Sequence, residues 1–152
     1  MLLALAVWIG ALIFFPVIAQ TAFANLPPHS AGLLVRGSLQ KLHQMAFACG
    51  IVFLSSSLIY NRIVLGRTRL LSASHWLIVC MLAFTAISQF HIIPRMESLR
   101  VTSGEISALP SSDRLRVQFD SLHTWSTRTE GAVLVLGLVV LYLTARRLTE
   151  HS

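Results

Sequence analysis

The sequence predicts an all-α protein, a bundle of four helices that cross a membrane. Three observations predict it. Apolar residues make up 55% of the chain and charged residues only 12%, where a soluble domain carries roughly 25% charge. Mean hydropathy is +0.70. The apolar residues also gather in four runs, each near the roughly 20 residues that a helix needs to cross a bilayer core. A length of 152 residues suits one domain, so 1–152 reads as a single four-helix transmembrane unit.

The first predicted helix covers about residues 2–23, "LLALAVWIGALIFFPVIAQTAF". No basic residue precedes it, and Trp8, Phe14 and Phe15 make it bulky. It therefore reads as a retained helix rather than a signal peptide. Pro27 and Pro28 break it. The second covers about residues 39–60, "LQKLHQMAFACGIVFLSSSLIY". Its serines, Ser55 to Ser57, have no base placed to activate them; they suit close helix packing or bonding to carbonyls four residues back. The third covers about residues 74–93, "SHWLIVCMLAFTAISQFHII", and Pro94 should end or kink it. A long polar loop follows, in which Asp113 to Phe119 reads as a short amphipathic helix. The fourth covers about residues 122–143, "LHTWSTRTEGAVLVLGLVVLYL".

The net charge of +6 does not imply a nucleic-acid partner, because the basic residues are spread thinly at the ends of apolar runs. There they set topology or meet lipid phosphates. Four crossings put the N-terminus, the second loop and the C-terminus on one side. That side holds Arg62, Arg67, Arg69, Arg146 and Arg147, with Glu150 as its acid. The other side holds Arg36, Lys41, Arg95, Arg100, Arg114, Arg116 and Arg128, with Glu97, Glu105, Asp113, Asp120 and Glu130. The first set is denser beside the helix ends, so both termini are expected in the cytoplasm, of a bacterial inner membrane. Cys49 and Cys80 lack metal-type spacing and read as small core residues.

The histidines carry the functional expectation. His43 lies near the start of the second helix, His91 near the end of the third and His123 at the start of the fourth. All three fall on the side opposite the termini, with His29 in the first loop of that side; His75 and His151 belong to the other. A histidine inside a membrane helix is costly and usually faces the bundle interior. Three at one level suit a transition metal or haem iron, because facing helices of a bundle can supply imidazole ligands. Hydrogen bonds between helices are the plainer reading. Phe47, Phe90, Trp125, Phe14 and Phe15 would give a flat ring its apolar walls, and Arg95 and Arg128, with Lys41, could meet its carboxylates. Ser126, three residues from His123, could orient that imidazole. Glu130 is the one carboxylate expected below the surface, where it could pair with Arg128 of a neighbouring subunit or carry protons. No GxSxG, HExxH, Walker or GxGxxG pattern occurs.

Several stretches carry a resemblance: "WIGALIFFPVIAQTAF" with Gly10, Phe14 and Phe23; "HIIPRMESLR"; "FDSLHTWS" with Phe119, His123 and Ser126; and "LGLVVLYL" with Gly137. With these, most of the chain resembles the domain of unknown function 4149 family (transmembrane protein 205-like). The resemblance implies a four-helix membrane bundle and no settled activity. The family's animal member is linked to platinum-drug resistance, which implies metal handling or export there.

The expected function is a membrane protein that binds haem or a related iron tetrapyrrole, with an electron-transfer or haem-dependent oxidoreductase role. Its ring would be held near the extracytoplasmic side by His43, His91 and His123. So small a bundle has little interior for a ring, which favours a homodimer. One alternative is a copper- or platinum-like metal-ion transport or resistance protein, using Met45, Met96, Cys49 and Cys80 as well. Another is a membrane assembly factor without cofactor.

Overall fold

The computed structural model describes residues 1–64, 72–104 and 106–149. Arg67, Arg69, Glu105, Glu150 and His151 lie outside the described residues. Four helical spans are long and apolar enough to cross a membrane: Leu2–Asn25, Pro28–Ile63, Ala73–Ser103 and Arg114–Arg147. The described residues contain no strand. This is the expected all-α membrane bundle.

Helix α1 (Leu2–Asn25) supplies buried Leu5, Trp8, Ile9 and Leu12. Pro16 lies within it without ending it. Leu26 is extended, with φ −123° and ψ 152°. After Pro27 the chain turns directly into α2 (Pro28–Val64). Proline is at home in a first helical position, where its missing N–H would have had no partner. Helix α2 thus starts eleven residues before the expected 39, since an apolar run marks only the membrane-facing part of a longer helix.

The third span differs most from expectation. It comprises α3 (Ala73–Ile87), a π-helical turn (Ser88–Ile92) and α4 (Ile93–Ser103). Pro94 does not end the helix; it sits in the first turn of α4. An interior proline costs about 3 kcal/mol, because it lacks an N–H and its ring strikes the carbonyl four residues back. Here the preceding turn is widened: the Ile93 N–H donates to the Ser88 carbonyl, five residues back. The wider turn makes room for the ring. Gly104, at φ 69°, then ends α4, a conformation that favours glycine.

A 3₁₀ turn (Ile106–Ala108) leads to α5 (Arg114–Thr149). The expected separate helix at 113–119 is instead the start of α5. Asp113 caps it, its Oδ1 accepting the Leu115 N–H at 2.8 Å.

Helix α1 packs on α2 and α5, and α3 packs on α2 and α5. So α2 and α5 face each other across the bundle. The core is apolar: Leu5, Trp8 and Leu12 of α1 meet Ala46 and Phe53 of α2, Ile78 and Met81 of α3, and Val133 and Val140 of α5. At Gly137 a Cβ would lie 3.1 Å from Ile9 and 3.2 Å from Met81, so α5 approaches its neighbours closely there. The outer surface is also apolar, with Leu3, Ile13, Ile51, Ile63 and Val135 exposed. An apolar outside around an apolar core is what a bilayer solvates. Of the cysteines, Cys49 is buried as expected, but Cys80 is exposed. Helical spacing puts Cys80 on the other side of α3 from buried Ile78 and Met81.

Candidate functional site: a buried histidine held by two helices

His43, on α2, is 1% exposed. Its Nδ1 lies 2.8 Å from Gln89 Oε1 and its Nε2 lies 2.7 Å from Glu130 Oε1. Three helices therefore meet in one imidazole. His43 is fifteen residues into α2, Glu130 sixteen into α5, and Gln89 fourteen from the end of α4. At about 1.5 Å per residue, all three lie about 21–24 Å from the same end of the bundle. Gln89 is presented by the π turn, so Pro94 and this site are linked through local backbone geometry. Single-turn π segments of this kind often mark functional sites.

Each ring nitrogen faces an oxygen. An imidazolium donates from both nitrogens and satisfies both oxygens, with Glu130 ionised. A neutral ring has one N–H. It can still satisfy both contacts if it donates to the Glu130 carboxylate while Gln89 turns its NH₂ toward Nδ1. A side-chain amide can give or accept, so the network stays hydrogen-bonded with or without one proton. A buried polar group without a partner costs on the order of 1–3 kcal/mol, and this site avoids that cost in both states.

The other expected site residues are not brought to this ring. His91 is exposed; it follows Gln89 by two positions and so falls on the other side of its helix. His123 is exposed and stacks on Phe119, with ring centroids 6.5 Å apart. It is seven residues from Glu130, about 10 Å along α5. Arg95 is exposed. Arg128 lies over the Trp125 ring at 6.0 Å, and both are exposed. Ser126 is buried, but no hydrogen bond joins it to His123; the His123 carbonyl accepts from Thr127. Among the described residues no three His, Cys, Asp or Glu side chains gather as a metal-holding group.

Glu130 pairs with His43 of its own chain, and its proximity to that histidine was not foreseen from sequence. Gln89 was missed as a site residue. The available signal was its isolation: a lone amide in an apolar membrane run, like Glu130 a lone acid, is costly unless partnered.

A family model described as Domain of unknown function (DUF4149) matches residues 3–105. These take in His43 and Gln89 and stop before Glu130. No curated protein and no solved structure matches the chain.

Proposed function

Taking as premise that the chain belongs to the DUF4149 family, we propose that it is a proton-handling integral membrane protein. His43 and Glu130 take up and release one proton inside the bundle, the coupling step of a small membrane carrier. One observation carries this reading: a buried imidazole with each nitrogen on a side-chain oxygen of another helix, one of them a carboxylate. Ionisable groups inside a membrane bundle commonly mark proton relays and ion pathways. Gln89, able to reverse its role, supports a change of protonation without a broken hydrogen bond.

The test is ¹⁵N NMR of histidine-labelled protein in lipid nanodiscs, from about pH 5 to about pH 8, the range in which histidine switches operate. His43 is expected to change protonation with pH, and Glu130→Gln to shift that change. A His43 signal fixed in one neutral tautomer, and unmoved by Glu130→Gln, overturns the reading.

Histidine ligation of a haem or related ring, or carriage of a soft metal ion, is the competing proposal. It asks His43 to release Gln89 or Glu130. His91 and His123 are exposed, as are Phe90 and Trp125, so a ring held by them belongs on the outer face, between the copies of a homodimer. An intense Soret band in the purified protein supports the ring, and bound copper or zinc in a colourless protein supports the ion. The cytoplasmic placement of both termini is likewise a proposal, resting on arginine density, and reporter fusions at the C-terminus test it.

A further inference from the structure

At the end of the bundle where α1 turns into α2, a cavity of about 240 Å³ opens among α1, α2, α4 and α5. That is room for several waters, enough for a compact polar group and too little for a whole lipid. Among the described lining residues, basic side chains outnumber acidic ones, Arg100 and Arg116 against Asp120.

Arg100 of α4 is the central feature. Its guanidinium lies 5.1 Å above the centroid of the Phe119 ring. On another side it lies against α2 at Gly32, where a Cβ would come within 3.2 Å of Nη2. The head thus lies between an aromatic ring and the α2 backbone at Gly32, where the lack of a side chain leaves it room. Among the described residues no hydrogen bond or ion pair takes up its donors. Glu97, one turn earlier on α4, pairs with Arg36 and also attracts the Arg100 charge, without a hydrogen bond or close ion pair to it. A half-buried guanidinium with unused donors facing a cavity is an anion receptor.

The surroundings agree. Arg116 also lines the cavity; its Nη1 donates to the Leu109 carbonyl at 2.5 Å, and its Nε lies 4.0 Å from Asp120. Pro28 and His29 bring the first turn of α2 to the wall, with the positive end of its dipole. Asp120 is the one carboxylate among the described lining residues, and it is exposed. The lip, by contrast, is apolar: Phe23 and Leu33 line the cavity and are about half exposed.

We infer that this cavity binds a phosphate group, with Arg100 as its principal contact. The planar fork of a guanidinium matches two phosphate oxygens. The apolar lip, in a chain that spans a membrane, suits a ligand whose phosphate enters the cavity while its hydrocarbon lies along α1 and α2. An anionic lipid headgroup and a free phosphate share this chemistry. The inference is independent of the His43 centre.

The test uses the full chain with two probes. Phosphatidylglycerol is offered in nanodiscs that are otherwise phosphatidylcholine, and retained lipid is counted by native mass spectrometry. Inorganic phosphate is offered in detergent and followed by ³¹P line broadening. Retention of phosphatidylglycerol over phosphatidylcholine, or broadening by the protein, is expected to fall by roughly tenfold to a hundredfold in Arg100→Gln, the range for a charge-assisted hydrogen bond. Arg100→Lys should recover part of it, keeping the charge without the fork. Gly32→Leu keeps every charge but fills the slot, and should lose binding as Arg100→Gln does. Arg128→Gln, outside the cavity, should not change it. Lipid selectivity assigns the site to a headgroup, and phosphate binding without it to a soluble ester; either supports the inference. Should neither probe bind, or should folded Arg100→Gln and Gly32→Leu both bind as wild type does, the inference falls.

Discussion

His43 and His75 are both buried, 1% and 6% exposed, yet they are finished in opposite ways. His43 draws its partners from two other helices and has both nitrogens in hydrogen bonds. His75 has a local partner, the hydroxyl of Ser72 at the start of its own helix, and its Nε2 meets no partner among the described residues. Asn61, near the end of α2, is 0% exposed, and both its amide atoms lack a partner among the described residues. A cavity of about 10 Å³, lined by Ser57, Tyr60, Ser74 and Thr144, lies at this end, close to the smallest volume that holds one water. One polar region is closed by side chains, and the other leaves polar atoms without partners among the described residues. Along α5 the two are separated by an apolar layer: Glu130, Gly137 and buried Thr144 are spaced by seven residues, about 10 Å apart, and Ile9 and Met81 close on Gly137.

The sharpest way to break this contrast is to remove one partner from the closed network. His43→Leu leaves Glu130 and Gln89 in the bundle without their ring. Removing one partner leaves the other's buried polar atoms unsatisfied, which costs about 1–3 kcal/mol, and more where the stranded carboxylate is charged. The double variant His43→Leu/Glu130→Leu removes both partners and should recover much of that loss, since no stranded carboxylate remains. Unfolding in detergent, compared across the two single variants and the double one, reads this directly. Strictly additive losses would mean that the two residues do not act as a pair.

A smaller effect is expected at Gln89. Hydrogen bonds between membrane helices contribute about 0.6–2 kcal/mol, so Gln89→Leu should cost no more than that. Its larger consequence is on His43. The charged ring loses an acceptor for Nδ1, and a neutral ring loses the donor that Gln89 can offer instead. The ¹⁵N resonance of His43 Nδ1 should therefore change while Glu130 keeps its bond to Nε2. An unchanged Nδ1 resonance would make Gln89 a packing residue.

The four spans were legible in the sequence because a bilayer demands long apolar runs, and nothing else in a chain of this size produces four of them. Their true lengths were not, because residues 28–38 and 114–121 are polar helix beyond the apolar runs. Pro94 was read by its ordinary effect, and the relief by a π turn depends on tertiary packing that no local pattern encodes. Of the expected site, His43 was placed inside the bundle, as its cost in a membrane requires. Depth was legible and facing was not: His91 and His123 were assigned by level, and helical phase turns both outward. The pairing of residues 43, 89 and 130 crosses the bundle, so it needed the relative rotation of three helices.

The smallest effect is expected at the open end. Asn61→Leu replaces an unpartnered amide by an apolar side chain of similar size. Removing a buried polar group that makes no hydrogen bond removes a desolvation cost, and such changes run from neutral to stabilising. The variant should therefore unfold within about 1 kcal/mol of wild type, or above it. This is the reverse of His43→Leu, though both positions are almost fully buried in the same helix. Hydration near Ser57 and Thr144 would decide between two forms of the contrast. If Asn61 meets bridging water, the substitution loses those bonds and destabilises by about 1–3 kcal/mol. A loss of that size would show that both ends of the bundle hold satisfied polar networks, one of side chains and one of water, and that Asn61 is not an unpaired group.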